Sequence, residues 1–152
     1  MKDVAQDSIL CCIIENASNG ITIRNRYSTT PASYSAEISG CTFSNNTTTQ
    51  LNNGLYASNS TNILFRNNDF TSSALVNGFS RGVVMEYCPG GSLLIIDNVI
   101  TNAETGVSIL QSSPYIARNS ITGQSDVGYG IYLDNSNENL EFCKANNLLK
   151  NG

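Results

Sequence analysis

Apolar residues recur along the chain in a fixed phrase: an apolar residue, two others, an asparagine, one more residue and a second apolar residue. Six copies occur, two of them with cysteine at the asparagine position, and successive asparagine positions are 29, 27, 30, 21 and 27 residues apart. Periods of about 20 to 50 residues are typical of solenoids. The copies are Ile9/Cys12/Ile14, Ile38/Cys41/Phe43, Phe65/Asn68/Phe70, Ile95/Asn98/Ile100, Ile116/Asn119/Ile121 and Cys143/Asn146/Leu148.

A second phrase, glycine followed by apolar-x-apolar, falls once between successive copies of the first. Both phrases alternate with period two, which predicts short strands with one inward apolar face. Each repeat is too short for the hairpins of a propeller blade, whereas pairing every strand with its copy one turn later gives a parallel β-helix. The five copies are Gly20-Ile21-x-Ile23, Gly54-Leu55-x-Ala57, Gly82-Val83-x-Met85, Gly106-Val107-x-Ile109 and Gly130-Ile131-x-Leu133.

The predicted fold is therefore all-β: a right-handed, single-stranded parallel β-helix of about six turns, here called rungs. One domain spans residues 1–152, and it is open whether this is a piece of a longer β-helix. Rungs spaced about 4.8 Å apart make a rod roughly 25–30 Å long. Unequal intervals are expected to be loops at the corners, because each rung touches only its neighbours.

Two ladders of polar residues are expected along the rod. Asparagine tolerates left-handed backbone angles and carries both a donor and an acceptor, so stacked copies are expected to bond one another at a corner. The glycines are expected to admit a strained corner before the next strand. A second, serine ladder is predicted at Ser60, Ser112 and Ser136, with Cys88 in the same column.

These phrases resemble the parallel β-helix repeats of the pectin-lyase-like superfamily, especially NosD-type repeat proteins, over about residues 8 to 149. The resemblance implies the right-handed β-helix and an association with carbohydrate. That superfamily includes lyases, hydrolases, epimerases, surface proteins and phage tailspikes, so the resemblance alone does not fix an activity. Its enzymes build their sites on the outward columns of the strands.

Composition excludes several classes of function. Only 13% of residues are charged, the net charge is −4, and the eight basic residues are scattered, so no nucleic-acid partner is expected. The sequence contains no run of 18 apolar residues, so no membrane span is expected. No apolar segment precedes the first repeat, so no signal peptide is expected within this sequence. An extracellular or cell-surface location is the expectation, with the signal absent from this chain.

Histidine is absent from the sequence, which removes serine-triad chemistry and most zinc hydrolases. Four of the five cysteines fall at inward or ladder positions of the repeat and are expected to be small buried fillers, while Cys11 falls on an outward or turn position. Stacked neighbours have parallel Cβ vectors that suit a disulfide poorly. No metal site and no cofactor are expected. Calcium is the one alternative, and in this superfamily it would need several acidic oxygens together.

Two columns point outward from the glycine-containing strands and hold the candidate site. Tyr56 and Tyr132 could stack on sugar rings, while Glu86 and Asp134 could bind hydroxyl groups. The two carboxylates are two rungs apart, about 10 Å at the backbone, which is loosely the spacing of an inverting glycosidase pair. Leu110 lies between them. The alternative is an ordinary solvated face.

A weaker candidate lies beside the asparagine column. Asp97 and Arg118 occupy the same column one rung apart, while Arg66 and Asp69 flank the same turn. A lyase would place a basic residue near carboxylates that hold calcium. The alternative is that these side chains form surface ion pairs, with Arg66 and Arg118 neutralising Asp69 and Asp97.

The sequence leaves three functions open. The first is a carbohydrate-associated module that binds polysaccharide on an outward strand face. The second is a scaffold in which uncapped rungs stack on other copies end to end, since open strand edges invite pairing. The third is a polysaccharide lyase or glycoside hydrolase, with Glu86, Asp134, Asp97 and Arg118 as the catalytic candidates.

Overall fold

The computed structural model describes residues 7–15, 17, 19–26, 34–45, 53–72, 81–89, 93–122, 128–136, 143–144 and 147–149. Within these ranges the chain forms strands and no helix, and the strands lie in three parallel sheets. Consecutive strands go to sheets A, B and C in turn, and each strand pairs with its counterpart one rung later. The predicted parallel β-helix is confirmed.

Among the described strands, each of the first five rungs gives one strand to every sheet, and the sixth rung gives one strand to sheet A and one to sheet B. Sheet A contains β1 (Asp7–Leu10), β4 (Ala36–Ser39), β7 (Ile63–Arg66), β10 (Leu94–Ile96), β13 (Tyr115–Ala117) and β16 (Cys143–Lys144). Sheet B contains β2 (Ile13–Glu15), β5 (Thr42–Asn45), β8 (Asp69–Ser72), β11 (Val99–Thr101), β14 (Ser120–Thr122) and β17 (Asn147–Leu149). Sheet C contains β3 (Asn19–Arg24), β6 (Asn53–Ser58), β9 (Arg81–Glu86), β12 (Thr105–Leu110) and β15 (Tyr129–Asp134).

The register of the sheets follows the repeat. In sheet A, Ile38 pairs with Phe65, and Ile95 with Ile116. In sheet B the phenylalanine rings of Phe43 and Phe70 stack with centroids 4.6 Å apart. The inward residues of the middle rungs are almost completely buried and form one continuous core. The hydrophobic effect along this column, at about 25 cal/mol per Å² of apolar surface, is the main source of stability.

The asparagine ladder is confirmed by the side-chain bonds between rungs. Asn68 Nδ2 donates to Asn98 Oδ1 at 3.0 Å, and Asn98 Nδ2 donates to Asn119 Oδ1 at 2.9 Å. The same oxygens accept from the backbone N–H groups of Asn68 and Asn98, and all three asparagines are buried. Asn146 lies outside the described residues.

The left-handed backbone angle is expected at the ladder asparagine, but the structure has it one residue earlier. The left-handed residue is the one before the asparagine: Asn67, Asp97 and Arg118 have φ near +55°, whereas the ladder asparagines do not have positive φ. The ladder asparagine is therefore selected by its amide group, while the turn strain falls on the exposed residue beside it.

The reason expected for the repeat glycines is also wrong. Gly54 does not have a positive φ. A Cβ atom there would lie 2.5 Å from the ring of Phe70 and 2.7 Å from the carbonyl oxygen of Gly82. Glycine is required because an inward residue of the sheet B strand that follows later in the chain, Phe70 on β8 for Gly54, fills the space that a side chain would need.

The second ladder is confirmed at the turn that follows sheet C. Ser60 Oγ accepts from Arg26 N at 3.0 Å, and Ser112 Oγ accepts from Cys88 N at 2.9 Å. Ser136 Oγ lies 3.4 Å from Ser112 N, which continues the column. Cys88 substitutes for serine, with its Sγ 3.5 Å from the Glu86 carbonyl oxygen.

The cysteines follow the filler prediction only in part. Cys41 and Cys88 are buried, and burial raises the pKa of each thiol. Cys11 is exposed at a turn, in agreement with its predicted outward or turn position, whereas Cys12 is also exposed, so the filler prediction is wrong for Cys12. Cys12 lies in the first described rung, where the ladder column is open on one side. The side chain of Cys143 is outside the described residues.

Candidate functional site

The outer face of sheet C brings together most of the predicted binding residues. Thr22, Tyr56, Val84, Ser108 and Tyr132 pair along one outward column, as the repeat predicts. The next column is Arg24, Ser58, Glu86, Leu110 and Asp134. A third column, formed by the residue before each repeat glycine, runs along the same face and contains Asn19, Asn53, Arg81, Thr105 and Tyr129.

This face is not uniformly solvated. Val84 and Ser108 are buried although they point away from the core, and Tyr56 is half-buried. Tyr129 and Tyr132, at the β15 end, are 55% and 40% exposed. The face is therefore accessible at its two ends: at β15, through these tyrosines, and at β3, where Asn19, Thr22 and Arg24 are exposed.

In the middle of the face, Glu86 is held by two neighbours. Tyr56 Oη donates to Glu86 Oε2 at 2.8 Å, and Arg81 Nη1 lies 3.6 Å from Glu86 Oε1. The Arg24 guanidinium lies 5.4 Å from the centroid of the Tyr56 ring, within the range of a cation–π contact. Burial, followed by the hydrogen bond to Glu86, raises the pKa of Tyr56. Glu86 therefore organises this network with its carboxylate already engaged.

A pocket of about 310 Å³ opens beside the exposed tyrosines. The rings of Tyr129 and Tyr132 lie 5.2 Å apart between centroids and are tilted by 49°. Both tyrosines belong to β15, where they are separated by Gly130 and Ile131. The pocket is lined by Arg81, Glu104, Thr105, Ser108, Tyr129 and Tyr132.

Sequence reasoning found Tyr132 but missed Tyr129, Arg81 and Glu104. Tyr129 and Arg81 precede the repeat glycines, and the same glycine alignment would have placed them in one column. The repeat phrase begins at the glycine, so the prediction assigned outward positions only from the glycine onward. The strands begin one residue earlier, at Arg81 in β9 and at Tyr129 in β15. Glu104 lies before β12 and no repeat position marks it.

The predicted carboxylate pair is not brought together. Glu86 on β9 and Asp134 on β15 are separated by β12, where Leu110 occupies the position between them. Asp134 is half-buried at the β15 end of the face, two residues after Tyr132. Asp134 does not line the tyrosine pocket, while Glu86 faces Tyr56 and Arg81.

Asp97 and Arg118 lie elsewhere, at the corner between sheets A and B. Arg118 Nε donates to Asp97 Oδ1 at 2.7 Å and Nη2 donates to Oδ2 at 2.6 Å. The hydrogen bond from Arg118 lowers the pKa of Asp97, and the same bond raises the pKa of Arg118. Both Asp97 oxygens are thus occupied by a surface ion pair, as the alternative reading of this column predicts.

The ion pair predicted between Arg66 and Asp69 is not found. Arg66 does not neutralise Asp69; its Nε and Nη2 both donate to Glu37 Oε1, at 3.0 and 2.7 Å. Asp69 Oδ1 instead accepts from Thr71 Oγ1. Within the described ranges, no group of three or more His, Cys, Asp or Glu side chains is placed to hold a metal ion.

The first rung exposes apolar surface at one end of the rod. Leu10 is 52% exposed and Ile13 is 73% exposed. The inward residues Ile9, Ile21 and Ile23 line a cavity of about 570 Å³ that opens at this end. Strands β1, β2 and β3 are the outermost strands of their sheets, so each has a strand partner on one side only in the described part of the chain.

Comparison with known proteins agrees with the observed architecture. A family model described as a right-handed β-helix region matches residues 28–152. Neither the curated proteins nor the solved structures gave a match. Nothing in the described ranges forms a helix long and apolar enough to cross a membrane.

Proposed function

We propose that this chain is a carbohydrate-associated β-helix module that binds polysaccharide on the outer face of sheet C. The chain belongs to the right-handed β-helix family, and the proposal starts from that membership. The closer likeness to NosD-type repeats of the pectin-lyase-like superfamily is part of this proposal. The proposal also includes a location outside the cell or at its surface, where long polysaccharides are accessible to a rigid rod.

The observation that carries the proposal is the exposed pair of tyrosines over the pocket. Aromatic rings offer a flat apolar face to the C–H side of a sugar ring, and the phenol oxygen remains free for a hydrogen bond. The pocket, at about 310 Å³, is within the usual range for small-ligand sites. Ser108, Thr105 and Glu104 line it and offer hydroxyl and carboxylate groups to sugar hydroxyls.

The rod geometry supports an extended ligand rather than a single sugar. The outward columns repeat at about 4.8 Å per rung, so a chain of sugars laid along the rod meets new side chains at every rung. Tyr132 and Tyr129 would anchor one sugar residue at the pocket. Asp134 lies within two residues of that anchor on the same strand.

Calorimetric titration of polysaccharide fragments against Tyr129→Ala and Tyr132→Ala tests the proposal. Each variant should weaken binding by about fivefold or more, since a lost stacking contact is worth about 1 kcal/mol. The matched control is Tyr87→Ala, which removes a tyrosine that is 47% exposed and does not line the pocket. Absence of binding to a broad panel of glycans, or equal losses in all three variants, would reject it.

A second candidate function is assembly with other copies through the first rung. It is favoured by the partial exposure of the inward residue Ile9, by the cavity that opens at this end and by the open edges of β1, β2 and β3. Exposed strand edges pair readily with other chains, and a head-to-tail contact that does not close produces filaments.

Light scattering across a range of concentrations tests the second candidate. Particle mass should rise with concentration in the natural chain and stay constant in Ile13→Lys. Val99→Lys is the control, because Val99 is also exposed but lies on β11 in the middle of the rod. A single monomeric species at all concentrations would remove this candidate.

A further inference from the structure

Charge is unevenly distributed along the outer face of sheet C. The face and its pocket carry two arginines and three carboxylates: Arg24, Arg81, Glu86, Glu104 and Asp134. Arg24 lies over Tyr56 in the first two rungs, far from the pocket. Arg81 lines the pocket, but its nearest carboxylate is Glu86, 3.6 Å away.

The pocket end of the face is acidic. The described part of the chain contains no ion pair that involves Glu104 or Asp134. Glu104 lines the pocket and is exposed, and the backbone N–H of Tyr129 donates to its carbonyl oxygen at 3.0 Å, which fixes Glu104 beside the tyrosine. Among the described residues, therefore, two carboxylates near the tyrosine pair have no cationic partner: Glu104 in the pocket lining and Asp134 two residues after Tyr132.

Exposed aromatic rings next to unpaired carboxylates attract a cation. The face of a tyrosine ring carries negative electrostatic potential and binds ammonium groups within about 6 Å of its centroid. A carboxylate adds a charge-assisted hydrogen bond. A negatively charged sugar would meet Glu104 and Asp134 at the same place, and Arg81 is already balanced by Glu86.

We infer that the pocket prefers a glycan with free amino groups, such as a polymer of unacetylated hexosamine units. This inference rests on the proposed function, because it names the class of polysaccharide for the same site. The ammonium group lies between the Glu104 carboxylate and the ring of Tyr129 or Tyr132. Thr105 and Ser108 bond the ring hydroxyls, and Asp134 contacts the next sugar along the chain.

Three sets of oligosaccharides of equal length test this inference by calorimetry: glucosamine oligomers, their N-acetylated counterparts and galacturonate oligomers. The glucosamine oligomers should bind about tenfold more tightly than the acetylated ones, the size expected when one cation–π contact and one charged hydrogen bond are lost. The galacturonate oligomers should bind least. The preference should fall as pH rises and the sugar amine loses its proton.

Variants assign the preference to the pocket. Glu104→Gln should reduce the ratio between glucosamine and acetylated oligomers, while the acetylated oligomer binds as before. Glu15→Gln is the matched control, a carboxylate on β2 outside sheet C. Unchanged ratios in Glu104→Gln would overturn the inference.

The other outcomes separate the inference from the proposed function. Equal binding of acetylated and unacetylated oligomers overturns the inference and leaves polysaccharide binding standing. Tight binding of galacturonate has the same effect. No binding of any oligosaccharide overturns both. If lysine tripeptide binds as tightly as the glucosamine oligomers, the pocket recognises charge without sugar, and the inference is also overturned.

Discussion

At the scale of single residues, the ladder asparagines combine burial with complete hydrogen bonding. Asn98 Oδ1 accepts from both the backbone and the side chain of Asn68, and Asn98 Nδ2 donates to the Phe65 carbonyl oxygen and to Asn119 Oδ1. Each of these groups is buried, and a buried polar group without a partner costs about 1–3 kcal/mol. The ladder thus provides hydrogen-bond partners for the polar groups that a tight corner would otherwise leave unpaired.

Removing one ladder amide should therefore be severe. Asn98→Ala leaves at least two buried donors and one acceptor without their partner, and the free energy of unfolding should fall by about 3 kcal/mol or more in urea denaturation. Asn67→Ala is the control, because Asn67 is exposed and contributes mainly its tolerance of φ +53°. Its loss should be about 1 kcal/mol. Similar losses in both variants would contradict the role assigned to the ladder.

A methyl group at a repeat glycine should be equally disruptive, for a steric reason. Gly54→Ala places a Cβ atom 2.5 Å from the Phe70 ring and 2.7 Å from the Gly82 carbonyl oxygen, and the backbone oxygen cannot move aside. We expect a loss of about 3 kcal/mol, at the upper end for overpacked cores. Gly40→Ala is the comparison: φ is +64° there, but the nearest atom is Cys11 Sγ at 3.3 Å. A larger loss at Gly40 than at Gly54 would show that backbone angle, and not space, selects the repeat glycines.

These residues mark where sequence reasoning stops. Spacing alone predicted which positions hold asparagine and glycine in register, because a solenoid repeats its contacts every rung. It could not show that Asn67, Asp97 and Arg118 take the left-handed angle, or that Phe70 fills the space above Gly54. Both depend on the direction of a bond within one corner, which the order of apolar and polar residues does not encode.

At the scale of strands and corners, every pairing predicted from the repeat phrases is found among the described strands. Ile38 pairs with Phe65, and Tyr132 with Ser108, because a shift of one residue between the strands of successive rungs would turn the inward apolar residues outward. The outer surface was less predictable. Val84 is buried although it points outward, and Tyr129 joins the site from a position before the glycine. Outward environments depend on what surrounds each rung, and the repeat does not specify it.

The corner between sheets A and B makes a prediction about acid. Arg118 lowers the pKa of Asp97, so the folded state holds the ionised carboxylate more favourably than the unfolded chain does. That contribution is present above the pKa of unfolded aspartate and is lost as pH falls through the lowered pKa of the folded state. Arg118→Ala should be less stable than the natural chain at neutral pH, and this difference should disappear in acid.

Thermal unfolding measured from neutral to strongly acid pH checks the corner prediction. The loss at neutral pH should be small, because the Arg118 side chain is 54% exposed and the Asp97 side chain 35%, so solvent screens the pair. Exchanging the two residues, Asp97→Arg with Arg118→Asp, should recover stability at neutral pH. A difference between Arg118→Ala and the natural chain that persists unchanged in acid would show that Arg118 acts through packing.

At the scale of the whole rod, stability should be graded from the middle to the ends. In a solenoid each rung contacts only its neighbours, so stability is approximately a sum of rung and interface contributions. Ile95 on β10 is fully buried, whereas Ile9, in the same inward column of the first rung, is 37% exposed. A rung with one neighbour therefore buries less apolar surface and should open first.

Amide hydrogen exchange resolves this gradient strand by strand. Backbone N–H groups of β6, β9 and β12 should exchange most slowly. Those of the outermost strands at the two ends, β1, β2 and β3 and β15, β16 and β17, should exchange most rapidly, because local opening at an end breaks only one interface. Ile9→Ala should speed exchange in the first two rungs and leave β12 unchanged, while Ile95→Ala should speed exchange in β7, β10 and β13 together. If both variants accelerate every strand equally, the rod unfolds as one cooperative unit, and the open first rung has no separate equilibrium through which other copies could bind.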